Sequence, residues 1–388
     1  MALTLHHGRI FRPAGVTEPL SMVASDQGRI TYVGPEQLAP RIDGLVVDLQ
    51  GSVVAPGFID LHVHGGFGVE FGRPGRMAED LRAYSRAVLR TGVTGFLCTV
   101  AAAEAASLAE MVRECASALG EGMPGAEALG LHLEGPFLNP ARRGAYDTSW
   151  LRAPNRAEVE ALLAAGQGCI RMVTVAPELP GAAEVAASLR RAGVVVALGH
   201  SDADYATASA ALAGDWTHVS HAFNAQRGFH HREPGVVGAV LTSQSATAEV
   251  ISDGVHVHPA AIRVLVRCLG TERVVAITDA MPAAGLADGE YGFWGRTVRV
   301  KDGQARLPNG TRAGSATTLD QCVRRMVGQV GVPLHEAMAM ASRNPAGVLG
   351  LHRLGSIAVG RDANLVVVDD AVRVCMVCVR GRMVYRAE

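Results

Sequence analysis

Five short stretches of this chain carry side chains that hold metals and move protons. "IDLHVHGG" places His62 and His64 behind Asp60, "HLEGP" carries Glu134, and "LGHS", "VSHAFN" and "ITDAM" carry His200, His221 and Asp279. Imidazole and carboxylate are the donors that zinc and other divalent metals take from proteins. Taken alone, an HxH pair is a weak signal, because a solvated strand face carries such pairs too. Residues two apart on a strand point to one side, so Asp60, His62 and His64 are expected to project together. Asp60 would then either orient a neighbouring imidazole or pack at the floor of the site.

Each of these residues closes an apolar, β-prone run. "GSVVAPGF" precedes His62, and the runs "GVTGFLCTV", "EALGLHLEGP", "IRMVTVAPE", "GVVVALGHS", "WTHVSHAFN", "ATAEVISDG" and "RVVAITDAM" follow in order. Between them lie Ala/Leu/Glu/Arg segments of helical spacing, such as "LRAYSRAVLRTG" and "AEVAASLRRAG". Eight strand-then-helix units predict an α/β fold, a TIM barrel of the (β/α)8 type, over an open doubly wound sheet. No GxGxxG or GxxxxGK[ST] stands between a strand and a helix, which removes the usual support for a nucleotide-binding sheet. Active sites of such barrels lie at the C-terminal strand ends. His62 and His64 end the first strand, Glu134 the third, His200 the fifth, His221 the sixth and Asp279 the eighth, so all six would meet at one end.

The flanks have another texture. Residues 1–55 and 351–388 read as short strands with tight Gly/Asp turns ("SDQGRITYVG", "GSIAVGRDANLVVVDD"), which predicts one small β-sandwich domain built from both termini. The barrel would span residues 56–350, with "YGFWGRTVRVKDGQARLPNG" a β-hairpin insertion near residues 290–312. The formal net charge of -1 gives no pull toward nucleic acid or anionic membrane. No apolar run approaches the ~18 residues of a membrane helix, and the N-terminus lacks the form of a signal peptide. Seven scattered cysteines, only Cys375 and Cys378 forming a CxxC, predict a reduced, cytoplasmic protein with no cysteine metal site.

Over almost its whole length, the chain resembles the N-acetylglucosamine-6-phosphate deacetylases of the amidohydrolase superfamily. The resemblance rests on "PGFIDLHVHG", "HLEGPFLNPARRGAY", "LGHS", "HAFNA" followed by "HHREPG", "DGVHVHP", "TDAM" and the final "NPAGVLGL" and "GSIAVGRDANLVVVD". It implies a metal-dependent hydrolase with a principal metal site at Glu134, His200 and His221. His62 and His64 match members that hold a second metal, with Glu134 bridging; one or two ions are therefore implied, zinc or iron first, manganese or cobalt as alternatives. Asp279 matches the catalytic acid/base. Ala145, Tyr146, Asn224, Ala225, Arg232, His256 and Ala313 (within "RAGS", Arg312 to Ser315) match substrate contacts, with Arg232 reaching the phosphate from the neighbouring subunit of a homodimer.

His230, His231 and His258 are expected to serve loop structure. Tyr146 stands where the family often has histidine, and Gln226 where it commonly has methionine. A phenol can donate a hydrogen bond to an oxyanion but carries no positive charge at neutral pH. The same metal site serves many amides. An N-acetylgalactosamine-6-phosphate deacetylase, an N-acyl-amino-acid deacylase and a non-catalytic metal-binding homologue are the alternative readings.

Overall fold

Eight parallel strands form the centre of the computed structural model, which describes residues 2–12, 15–16, 21–40 and 43–387. They are β1 (Phe58–Val63), β2 (Val93–Ala101), β3 (Glu127–Glu134), β4 (Ile170–Val175), β5 (Val195–Leu198), β6 (Trp216–Val219), β7 (Thr247–Ile251) and β8 (Val274–Ile277). Neighbours in sequence pair in register order from β1 to β8. The two ends of the sheet then meet just past the strand tips. The Asp279 N–H donates to the His62 carbonyl at 2.8 Å and the His64 N–H to the Ala280 carbonyl at 2.9 Å. The fold is a TIM barrel.

Strands such as "VVAL" of β5 are buried on both faces, and their continuous apolar sequence reflects that. One face packs outward on the helices that follow each strand. The other contributes Ile59, Leu61, Leu97, Met172, Ile251, Val275 and Ile277 to one cluster, and strands around a whole ring can share a cluster only inside it. Leu349, just after the helix Arg343–Val348, closes that cluster from the N-terminal side. The apolar floor leaves the opposite, C-terminal end for polar groups.

The termini form a second unit. The long strand Leu3–Arg12 bends at a bulge between Leu5 and Gly8, where His7 takes a left-handed φ of 53°. Before the bend it pairs with Ser21–Asp26 and Leu45–Asp48, and after it with Val53–Pro56. Val53–Pro56 in turn pairs with Leu365–Val368, so both ends of the chain share one sheet system around Leu5, Ile10, Ile30, Leu365 and Met376. Between β8 and the helix Leu319–Arg325, the chain forms a three-stranded antiparallel meander, Gly289–Phe293, Arg296–Lys301 and Gln304–Arg306. This is one strand more than the hairpin expected there. No helix among the described residues is long and apolar enough to cross a membrane.

Candidate active site

The barrel's C-terminal end gathers the six predicted residues around one carboxylate. Glu134, at the tip of β3, is 3% exposed. Its Oε1 lies 2.8 Å from His221 Nε2 and 3.0 Å from His200 Nε2, while its Oε2 lies 3.1 Å from His64 Nε2. His62 Nε2 stands 3.4 Å from Oε1. Glu134 thus sits between two histidine pairs. Asp279 faces the same gap, its Oδ1 3.3 Å from His64 Nε2 and 3.7 Å from His62 Nε2.

His200, His221 and Asp279 share a local device. Each lies two residues past the end of its strand, and each adopts a left-handed backbone, with φ of 46°, 27° and 48°. For a residue with a Cβ, such a conformation costs of order 1–3 kcal/mol, so surrounding contacts must hold it. Gly199 permits the approach at β5: a Cβ there would meet Thr174 Cγ2 at 2.7 Å and Ser220 Cβ at 2.9 Å.

The imidazoles are oriented from behind. His200 Nδ1 lies 2.8 Å from the Arg142 carbonyl and His62 Nδ1 2.9 Å from Glu249 Oε2. Each Nδ1 therefore carries the proton, and each Nε2 presents a lone pair to the gap. His200 Nε2 and His221 Nε2 are 3.2 Å apart, and the buried His62 Nε2 has no hydrogen-bond partner. The lone pairs of His200 and His62, gathered with His221 Nε2 around one carboxylate, suit a shared cation. The 2.8–3.2 Å spacings among His200, His221 and Glu134 approach the ~3.3 Å ligand-to-ligand edge of a tetrahedral ion with bonds of ~2.0 Å. The donor set fits a divalent metal of the zinc type. His62, His64 and Asp279 make a second grouping of close ligand atoms beside His62, Glu134 and His221.

Charge is shared unevenly. Burial opposes ionisation of Glu134, but the surrounding imidazoles, His62 and His200 first, outweigh it and hold the carboxyl well below its usual range. For Asp279, burial again raises the value, while the His64 hydrogen bond and the His62 and His64 charges bring it below normal.

Two contributors were not anticipated. Glu249, in the middle of β7 and fully buried, accepts from His62, from the His221 N–H at 3.1 Å and pairs with His218 at 3.2 Å. A lone acid inside the apolar run "ATAEVISDG" was the available signal. Asp253 holds His256, its Oδ2 2.7 Å from Nδ1 and its Oδ1 accepting the Val255 and His256 N–H groups at 2.8 Å.

Asp60 departs from expectation. The β1–β2 register sets Phe96 opposite Asp60 but Cys98 opposite Val63, so β1 carries one extra residue and its alternation is broken. Asp60 turns away from the imidazoles, accepts from Thr278 Oγ1 at 2.6 Å and lies beside Tyr84 and Leu319. Burial pushes its carboxyl up to about 7. The imidazole-orienting carboxylate is Glu249.

Above them opens a cavity of about 360 Å³ lined by five of the six, all but His62, and by Gly144, Ala145, Tyr146, Asn224, Ala225, His256, Trp294, Arg306, Arg312 and Gly314 among others. Ala313 is fully buried in the meander core instead, leaving its neighbours Arg312 and Gly314 to line the wall. The Tyr146 hydroxyl donates to Glu134 Oε2 and its ring stacks on Trp294 with centroids 4.9 Å apart. The phenol is thus already engaged. Gln226 is buried and donates to the Ser220 carbonyl at 2.9 Å. Arg232 does not line the cavity of its own chain; it is exposed, with Nη1 2.8 Å from His231 Nε2. His230 and His231 lie side by side on the same exposed loop, their rings tilted at 41°, and His258 caps the helix Pro259–Leu269.

A barrel carrying histidines from β1, β5 and β6, a glutamate from β3 and an aspartate after β8 defines a class, and the sequence agrees: the chain belongs to the amidohydrolase family, which it matches over residues 53–384. It is 40% identical over 333 residues to the N-acetylglucosamine-6-phosphate deacetylase of Vibrio furnissii, covering 86% of this chain and 83% of that one. It is 39% identical over 339 residues to the N-acetylgalactosamine-6-phosphate deacetylase of Escherichia coli O157:H7, covering 87% and 89%. The crystal structure of N-acetylglucosamine-6-phosphate deacetylase from Pasteurella multocida aligns with a TM-score of 0.92 at 31% identity, covering 99% of both chains.

Proposed function

We propose that the chain hydrolyses the N-acetyl amide of N-acetylglucosamine 6-phosphate, giving acetate and glucosamine 6-phosphate. The observation that carries this reading is Glu134 standing between two histidine pairs with Asp279 beside them. Glu134, His200 and His221 would hold one divalent ion, zinc or iron before manganese or cobalt, and His62 and His64 a second. When bound, such an ion supplies Lewis acidity to water and to the amide carbonyl.

The rest is the chain's own work. Asp279 is the carboxylate that opens to the cavity, with 15% of its side chain exposed against 3% for Glu134. Kept ionised by His64 and His62, it can take a proton from the attacking water. It then returns that proton to the amide nitrogen as the carbon–nitrogen bond breaks. Water's hydroxyl stays on the acetyl carbon, and the amine leaves protonated. Asn224, the Ala225 backbone and His256, its Nδ1 tied to Asp253, line the cavity and would receive the sugar. Arg232, outside its own cavity, is assigned to the phosphate in the partner's site of a homodimer. Seven free cysteines fit a reduced, cytoplasmic setting.

Acetate release should be followed from the 6-phosphates of N-acetylglucosamine and N-acetylgalactosamine and from both unphosphorylated sugars, with metal content measured on the same sample. Fastest turnover of N-acetylglucosamine 6-phosphate is expected. A higher kcat/KM for the galacto epimer would move the assignment to that sugar, and release from none of the four would contradict the deacetylase reading.

A further inference from the structure

The meander that covers the cavity ends in an unusual pair. The Leu307 N–H donates to the Thr311 carbonyl at 2.9 Å and the Ala313 N–H to the Ala305 carbonyl at 3.2 Å, so Arg306 and Arg312 oppose one another between these two bonds. This is the non-hydrogen-bonded type of antiparallel pair, in which Cα atoms approach to about 4.5 Å and side chains are closest. Like charges directly opposite are destabilising. Among the described residues, neither arginine forms an ion pair with a carboxylate. Arg306 is held by neutral oxygens alone, Nη1 donating to the Gly310 carbonyl and Nη2 to Gln304 Oε1, both at 2.8 Å. Arg312 is exposed.

Both arginines line the active-site cavity, which Asn224 and Ala225 also line. Arg306 and Gly310 also line an adjoining groove of about 590 Å³ that includes Arg299 and Lys301, with Glu290 and Asp302. Those two carboxylates do not line the active-site cavity, where the acids are Glu134 and Asp279, enclosed by their histidines. The cavity therefore has its negative charge paired at the floor and unpaired positive charge at the mouth.

We propose that Arg306 and Arg312 are a specificity-determining pair for an anionic substituent of the substrate, supplied in the same chain as the catalytic residues. Two forks facing one opening suit the several oxygens of a phosphate monoester dianion, and the anion relieves the repulsion between them. The proposal rests on the deacetylase reading and adds to it an anion contact independent of Arg232 and of any partner subunit.

The test compares wild type with Arg312→Ala, whose side chain makes no hydrogen bond or ion pair among the described residues, and with Arg306→Gln. Kinetics are read on phosphorylated and unphosphorylated N-acetylglucosamine, and inorganic phosphate binding to the holoenzyme is measured by calorimetry. Arg312→Ala should lower kcat/KM for the phosphorylated sugar on the order of tenfold or more, mainly through KM, as expected for a lost charge-assisted contact. The unphosphorylated sugar should change less than about twofold, and inorganic phosphate should bind more weakly. An unchanged preference for the phosphorylated sugar in both variants overturns the proposal, as does an equal loss on both sugars, which would mean a shape change of the meander. A wild-type enzyme that binds phosphate through these arginines yet releases no acetate would instead contradict the deacetylase reading.

Discussion

The floor and the mouth of this cavity are built on opposite terms. At the floor, His62, His64, Glu134, His200 and His221 are at most 5% exposed, and hydrogen bonds to Glu249 and the Arg142 carbonyl fix ring orientation. At the mouth, Arg306 and the exposed Arg312 come from the meander and its return, and Arg232, outside its own chain's cavity, is the residue proposed to enter from a partner. The floor is rigid because it must present lone pairs and a carboxylate to a reacting centre within tenths of an ångström. The mouth only has to recognise a charge, and loops on a fixed scaffold can vary to do so. Chemistry is set by strand ends, and the choice of amide by what surrounds them.

The floor should therefore be unforgiving, and Asp279→Asn is the sharpest blow to it. The amide is nearly isosteric but accepts no proton, so kcat should fall ~10²–10⁴-fold with bound metal unchanged by elemental analysis. A variant within a few-fold of wild type would place the acid/base role elsewhere. Glu249→Gln tests whether support from behind matters as much. It leaves His62, His218 and the His221 N–H with a weaker acceptor, and loss of such a partner costs roughly 10–100-fold in metal affinity or turnover, read by competition with a chelator. Unaltered metal affinity would make Glu249 a packing residue.

The mouth should fail selectively. Arg232→Ala should lower kcat/KM on the order of 10–100-fold for phosphorylated substrate alone. If it acts across a dimer, mixing Arg232→Ala with Asp279→Asn chains should restore activity, because one site of each heterodimer then has both groups, about half of the wild-type sites. No recovery despite demonstrated subunit exchange would place Arg232 within its own chain, or away from phosphate. Tyr146→Phe lies between the two regions and should have the smallest effect. It removes one donor to Glu134 but keeps the stack on Trp294, so no more than about a tenfold loss in kcat/KM is expected, equal for both sugars. A selective loss on one sugar would make the phenol a substrate contact.

The same contrast governs how much was legible in the sequence. The barrel and the convergence of His62, His64, Glu134, His200, His221 and Asp279 follow from where polar residues fall in apolar runs, since a strand's end is a position in space as well as in sequence. Period-two reasoning then failed at Asp60, because a single inserted residue in β1 reverses the facing of everything before it. The left-handed turns at His200, His221 and Asp279 were invisible, as nothing in those residue types demands a positive φ. Glu249 was readable in principle, being a buried acid in an apolar strand, but of its partners only those of the adjacent β6 were predictable from strand order, while His62 is brought from β1 by ring closure. Ala313 shows the limit of motif matching: its motif reaches the cavity through the neighbours on either side.

Metal dependence tests the central claim most directly. Chelator-stripped protein, verified metal-free by elemental analysis, should be titrated with zinc while acetate release from N-acetylglucosamine 6-phosphate is followed. The arrangement of Glu134, His200 and His221 predicts no turnover at zero metal and a rise that tracks bound ion. The His62→Ala/His64→Ala double variant should keep the first equivalent and lose only the second. Full activity in verified metal-free protein would contradict the account.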